Sequence, residues 1–320
     1  MNLPKISVNI PLITNGNASI VLNSLQKIEY PKGLYEIIVI EGSHLTKQRN
    51  IGLKVSKGEI IYLLDDDSYV QPQSFKILAE EFRNPKIAAV GGPSLTPQDG
   101  QNYLNQLIAY VLETYFGAFR MRYKWSNHVQ SIFGRDYHFI GANLSFRKKT
   151  AVDVGGFDEK IVPNEETELL RRLQAKGYLL KFNKHLFIHR NQRKNLWELA
   201  KQFYHYGKGR MKQIKKKIIF QDFILSAPIA FGFYLLTLIV FHPLWYFLPL
   251  VTYFFLCIAT TMKASVKYKK LSLLLTMPIL FPIVHLSYAA GMVNEMLAKS
   301  RQNKKKYKIN ITYFKRFTTK

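Results

Sequence analysis

From Phe223 to Met262 the chain carries no charged residue over forty positions. A helix needs about 20 residues to cross the hydrocarbon core of a bilayer. The run is therefore twice the length of one span and too long for a single buried core helix. His242-Pro243 falls near its middle, where a turn between two helices belongs, so the run reads as a hairpin of spans, 223–241 and 244–262. A third apolar stretch, 271–293, contains Pro278, Pro282 and His285. Its length favours another span. Charge favours a re-entrant or interfacial segment, because a third crossing would carry the basic C-terminus to the side that basic segments avoid.

Charge supports the membrane reading. The chain has 46 Lys and Arg against 21 Asp and Glu, net +25, but residues 1–180 carry only +3 of it. Residues 181–217 carry +11 and residues 299–320 carry +9, so the excess flanks the apolar region. That is the pattern of contact with anionic headgroups. A nucleic-acid binder would spread its Lys and Arg over the globular part, so nucleic acid is not an expected partner. A hydrophobic content of 48 % excludes a disordered chain, and the single Cys257 excludes a disulfide scaffold or a cysteine-rich structural zinc site. The start, MNLPKISVNIPLI, alternates like a strand and has no signal-peptide pattern. The expected layout is a soluble domain over 1–190, a basic amphipathic interfacial segment over 191–220, a membrane region over 221–298 and a basic tail over 299–320. The soluble domain and the tail are expected in the cytoplasm, with the chain multi-pass in the cytoplasmic (inner) membrane.

Within 1–190, short apolar runs alternate with amphipathic ones. Ile6–Ile13, Glu36–Ile40, Glu59–Leu64 and Ala88–Gly91 read as buried strands; Ala18–Ile28, Lys47–Val55 and Pro72–Phe82 read as helices. Strand-helix alternation predicts an α/β fold with a mostly parallel, Rossmann-like sheet. Ligands of such sheets bind at the carboxyl ends of the strands, which here carry Pro11, Glu41 and Asp65-Asp66-Asp67.

The segment IIYLLDDDS is the sharpest local signal. A hydrophobic strand delivers three carboxylates to a solvent-facing edge. Carboxylate oxygens are hard ligands suited to Mg²⁺ or Mn²⁺, and Asp65 and Asp67 fall on one side if the strand geometry continues. The plain alternative is an acidic strand-to-turn exit, where Asp is common.

Its neighbours lend it context. SVNIPLI, YPKGLYEIIVIEGS, QRNIGLKVSKGEIIYLLDDDS, VGGPSLTP, IGANLSFRKKTAVDVGGFDE and NEETELLRRLQAKGY follow in order. In that order and spacing they resemble the family 2 inverting glycosyltransferases, sugar-nucleotide enzymes of the A-type fold, over about residues 5–190. KQFYHYGKGR resembles the segment that precedes the membrane helices of membrane-anchored members, and the layout looks most like the succinoglycan-type exopolysaccharide synthases.

The resemblance implies roles by position. Glu41 matches the carboxylate that holds the donor's base, with UDP-sugars the expected donors, and Pro11 and Arg49 line the same cleft. Asp65 and Asp67 match the DxD pair, which contacts ribose and the metal-bound diphosphate, with Asp66 between them as a further donor contact. Glu166 matches the catalytic base and Glu165 stands beside it. Gly141, Ala142 and Asn143 match the acceptor-side loop. Asp67 and His189 are the implied metal contacts, and the implied cofactor is a divalent cation, Mg²⁺ or Mn²⁺. Gln202 and Arg210 are implied at the site, with Gly207 and Gly209 allowing backbone approach to phosphate and Lys212–Lys217 facing lipid.

The chemistry needs these residue types. A departing diphosphate concentrates negative charge that a cation must stabilise. An acceptor hydroxyl is a weak nucleophile, so a carboxylate must take its proton. One base opposite the leaving group inverts the anomeric carbon, without the carboxylate nucleophile that retaining hydrolases use. Three features depart from the family pattern: Glu41 and Glu166 stand where Asp is usual, and the first loop, LITNGN, lacks the usual acidic residue after asparagine. The plain reading of NEETELL is an acidic helix start favoured by the dipole. The acceptor is expected to be a lipid-linked glycan or polysaccharide. The alternatives are a polyprenyl-phosphate sugar synthase and a non-catalytic membrane scaffold.

Overall fold

The computed structural model describes residues 3–97, 102–241, 243–298 and 307–317. His242, at the expected hairpin turn, and most of the basic tail lie outside them. The chain divides into two compact units. The first comprises Met1–Pro97, Tyr123–Asn191 and Gln302–Lys320, the second Gln98–Arg122 and Gln192–Arg301. The layout expected from sequence, a contiguous 1–190 domain, thus differs in two places: residues 98–122 leave it for the second unit, and the C-terminal segment joins it.

The first unit opens with β1 (Ile6–Ile13), α1 (Ser19–Leu25), β2 (Tyr35–Gly42), α2 (Leu45–Val55) and β3 (Ile60–Leu64). There follow β4 (Tyr69–Val70), α3 (Ser74–Glu81), β5 (Ile87–Gly91) and β6 (Ser94–Leu95). The chain then builds α4 (Tyr103–Leu112) and α5 (Tyr115–Ala118) of the second unit. It returns for β7 (Ile132–Phe133), β8 (Asn143–Arg147), α6 (Lys148–Asp153), α7 (Glu165–Ala175), β9 (Leu179–Phe182) and β10 (Ile188–His189).

The second unit resumes with α8 (Leu196–Lys216), α9 (Phe220–Leu225), α10 (Ala227–Thr237), α11 (Leu248–Tyr268) and α12 (Leu273–Leu297). The last strand, β11 (Asn310–Lys315), closes the first unit.

The main sheet has the order β11-β2-β1-β3-β8-β5-β9-β7. β1 pairs in parallel with β2 and β3, and β5 with β9, while β8 runs antiparallel between β3 and β5. The five strands β1, β2, β3, β5 and β9 share one direction. A smaller sheet, β4-β10-β6, sits beside them.

Strand alternation explains why the runs are apolar on both faces. Along β3, Ile60, Tyr62 and Leu64 enter one core cluster and Ile61 and Leu63 enter another. A strand covered on both faces has no polar side to show. Each fully buried aliphatic or aromatic side chain contributes about 1.5–3 kcal/mol. The fold uses that burial to hold the carboxyl ends of β1, β2 and β3 at one edge.

β11 supplies what the basic tail conceals. It pairs antiparallel with β2, placing Asn310 opposite Glu41 and Thr312 opposite Val39. Upstream of it, Tyr307 meets His44 at 4.7 Å between ring centroids.

In the second unit, two helical stretches among the described residues are long and apolar enough to cross a membrane, Leu244–Tyr268 and Leu273–Leu297. The stretch 223–241 does not form one long helix. α9 and α10 divide it, and its apolar helix Asp222–Thr237 is shorter than a full span. α8 packs on α12 at glycine contacts. A Cβ on Gly207 would lie 2.0 Å from the Tyr288 carbonyl oxygen, and one on Gly291 would lie 1.9 Å from that of Tyr204. Gly207 therefore serves helix packing, where the sequence suggested phosphate approach.

Candidate active site

The site is built on the strand ends of the first unit. β3 runs into Asp65, Asp66 and Asp67, and burial together with the Asp67 and Asp65 carboxylates pushes the Asp66 carboxyl above its ordinary value. The pairing of β10 with β4 sets His189 opposite Tyr69 and so brings Arg190 to the acidic cluster. The Arg190 guanidinium lies 2.9 Å from Asp65 Oδ2 through Nη1 and 2.7 Å from Asp67 Oδ1 through Nε.

Beneath the cluster lies a second set of charges. Arg49, on α2, is 3 % exposed, and its Nη1 donates to Glu165 Oε1. Arg49 also stands 3.8 Å from Asp65 and 4.0 Å from Glu166. Glu165 and Glu166 open α7, where the helix dipole favours carboxylates. Burial pushes Glu165 up to about 7, Arg49 opposes the shift, and the Glu166 carboxylate adds to it. Lys124 Nζ stands 4.0 Å from the other oxygen of Glu166. Glu166 is thus a buried carboxylate between two cations.

Gly141 makes room for Arg49, since a Cβ there would lie 2.7 Å from both terminal guanidinium nitrogens. Asn143 is a cross-brace. Its Oδ1 accepts from Tyr62 Oη at 2.6 Å, and its Nδ2 donates to the carbonyls of Leu186 at 2.6 Å and Pro93 at 3.2 Å. Ala142 packs in the core beside it. These three residues, expected at an acceptor loop, shape the floor on which Arg49 and the Asp65 strand rest.

Pro11 pairs with Ile40 and Leu12 with Glu41, and Glu41 Oε1 accepts from the Asn15 backbone at 2.9 Å. Glu41 and Pro11 therefore share the strand-end edge with the acidic cluster. Gln202 and Arg210 lie on α8 in the second unit. Gln202 accepts from Arg193, and Arg210, 2 % exposed, faces Asp222 at 3.5 Å.

Two site residues escaped the sequence reading. Lys124 sits in the run RMRYKWS with no spacing that marks it. Arg190 directly follows His189 in IHR, and the signal available was its place at the exit of a short strand facing the acidic cluster.

The residues fit a divalent cation in a limited way. Among the described residues no three His, Cys, Asp or Glu side chains converge as a ready-made site. Asp65 and Asp67 instead converge on one cation, the guanidinium of Arg190. His189 has its Nδ1 buried without a hydrogen-bond partner, and burial pushes its imidazole below its ordinary value. Two carboxylates leaving most positions to phosphate oxygens and water suit Mg²⁺ or Mn²⁺.

Residues 60–293 match the family model described as Glycosyl transferase family group 2. The chain is similar in structure to the mannosyltransferase PcManGT from Pyrobaculum calidifontis, solved in complex with GDP-Man and Mn²⁺. That likeness has a TM-score of 0.59 and 15 % identity, over 94 % of this chain and 89 % of the other. S. aureus TarS 1–349 in complex with UDP-GlcNAc aligns at a TM-score of 0.42 and 13 % identity, over 65 % of this chain and 66 % of the other. No curated protein matches the chain.

Proposed function

The chain belongs to glycosyl transferase family group 2, a glycosyltransferase of the A-type fold, and from that premise we propose a specific reaction. It moves a sugar, with inversion, from a nucleoside-diphosphate sugar to a hydroxyl of a lipid-linked or polysaccharide acceptor at the cytoplasmic face of a membrane. The observation that carries this reading is Glu166, buried between Lys124 and Arg49, with Arg49 also 3.8 Å from Asp65.

In this reading Glu166 takes the acceptor hydroxyl's proton as the oxygen attacks the anomeric carbon. The bond from that carbon to the diphosphate oxygen breaks, and the nucleoside diphosphate leaves. A divalent cation held by Asp65 and Asp67 would neutralise the leaving diphosphate. Glu41 and Pro11 hold the base, as the family resemblance implies. Arg49, fixed by Glu165 and Gly141, keeps Asp65 and Glu166 in register.

Two features support a lipid-linked acceptor. The long apolar helices support membrane association. The second unit also holds a cavity of about 320 Å³ lined by Phe116, Phe119, Phe203, Phe231, Tyr253 and His285 among others, a size suited to a small apolar group. Exopolysaccharide synthesis is the process that the layout suggests.

The polyprenyl-phosphate synthase reading draws on the same place, because Lys124 beside Glu166 would also attract an acceptor phosphate.

The test is a panel of nucleotide sugars offered to the detergent-solubilised full chain with and without Mn²⁺. Turnover of one donor that EDTA abolishes supports the proposal, and equal turnover in EDTA contradicts the metal requirement.

A further inference from the structure

Among the described residues, Arg190 is the one cation in direct contact with both carboxylates proposed to hold the metal. Its backbone is fixed, with N donating to the Leu95 carbonyl at 2.9 Å. Its side chain reaches Asp65 at 2.9 Å and Asp67 at 2.7 Å and is 21 % exposed. Arg49, 3 % exposed and locked against Glu165, has no comparable route to solvent. The two arginines therefore differ in kind. Arg49 is part of the scaffold, whereas the Arg190 side chain is partly open to solvent.

We infer that Arg190 is a placeholder that couples cation binding to nucleotide binding, an inference that rests on the proposed metal and donor sites. An arginine stays charged at all working pH values. A divalent cation entering between Asp65 and Asp67 competes with the guanidinium for the same oxygens and repels it. A cation arriving alone leaves Arg190 without its carboxylate partners, so it binds weakly. A cation arriving with a diphosphate offers the displaced guanidinium a bidentate phosphate partner. Metal and nucleotide therefore bind with positive coupling, each raising the other's affinity by the same factor. The short β10–β4 pairing keeps the Arg190 backbone in place while the side chain changes partners.

The experiment measures Mn²⁺ alone, UDP and GDP alone, and Mn²⁺ with each nucleotide, by calorimetry on the full chain in detergent. Arg190→Ala is expected to bind Mn²⁺ alone about tenfold more tightly and to lose most of the coupling with the nucleotide, a factor typical of such couplings. Arg190→Lys keeps the charge but cannot span both carboxylates, so its Mn²⁺ affinity falls between the two. Arg190→Ala with Mn²⁺ affinity equal to or below that of the parent chain overturns the inference. Asp67→Ala separates this failure from failure of the underlying site. If Asp67→Ala leaves Mn²⁺ binding intact, the cation is elsewhere and both readings fall. If Asp67→Ala abolishes Mn²⁺ binding and Arg190→Ala leaves it unchanged, only the placeholder role falls.

Discussion

Arg49 and Glu165 form a buried ion pair beneath the acidic strand exit, with side chains 3 % and 2 % exposed. Arg49 comes from the helix after β2 and Glu165 from the start of α7, so the pair ties together two ends of the fold more than a hundred residues apart. A buried pair of this kind adds little net stability over an apolar replacement, but breaking it on one side leaves a charge without compensation. Arg49→Met is therefore expected to destabilise the first unit by about 3–5 kcal/mol at pH 8, and by less at pH 6, where Glu165 takes up a proton. The double variant Arg49→Met/Glu165→Met should recover most of the loss. Thermal midpoints of the parent and these two variants at both pH values check this.

Glu165 also sets a pH dependence. Its folded-state value of about 7 lies above its ordinary 4.5, so between those values the folded chain binds more protons than the unfolded one. Stability then falls as pH rises through that window. Glu165→Gln removes the ionisation, and the variant's thermal midpoint should show a flatter pH profile from 4.5 to 7 than the parent's.

Gly141→Ala tests the seat of Arg49. The added methyl would meet both terminal nitrogens at 2.7 Å, so the guanidinium must shift. Overpacking of this kind costs about 1–3 kcal/mol. The expected result is a lowered thermal midpoint together with slowed sugar transfer. An unchanged midpoint and unchanged transfer would show that Arg49 has freedom the geometry denies it.

Asn143→Ala tests the cross-brace. It leaves the Tyr62 hydroxyl and the Leu186 and Pro93 carbonyls without their amide partner, at about 1–3 kcal/mol for a buried group left unpaired. Tyr62→Phe removes one of those groups in advance. The double variant should therefore lose less than the sum of the two single changes, which a thermal double-mutant cycle reads directly.

The strands were legible because their chemistry is local. Ile6–Ile13 is the same in sequence and structure, and Glu36–Ile40 and Ala88–Gly91 lie inside the observed strands Tyr35–Gly42 and Ile87–Gly91. A strand buried on both faces writes its full length as an apolar run. β11 was not legible, because NITYFK is an edge strand whose existence depends on the free edge of β2, more than 260 residues away. Lys124 and Arg190 were missed for a related reason. Each acquires meaning only from a carboxylate that the fold brings to it, and no period or spacing announces such a partner. Gly207 was misread because a glycine that admits a phosphate and one that admits a neighbouring helix look the same in sequence.

The most direct measurement of the proposed reaction compares Glu166→Gln with the parent chain in two assays. One is single-turnover sugar transfer and the other is donor binding by calorimetry in the presence of Mn²⁺. Gln keeps the size and a carbonyl oxygen but cannot take the acceptor's proton near neutral pH, and loss of a general base costs about 10²–10⁴ in rate. In the proposed reaction the donor rests on Asp65, Asp67 and Glu41, so its affinity should remain within about twofold, the level of a change that removes no binding contact. A variant that transfers sugar at close to the parent rate would contradict Glu166 as the base. It would favour a phosphate acceptor near Lys124.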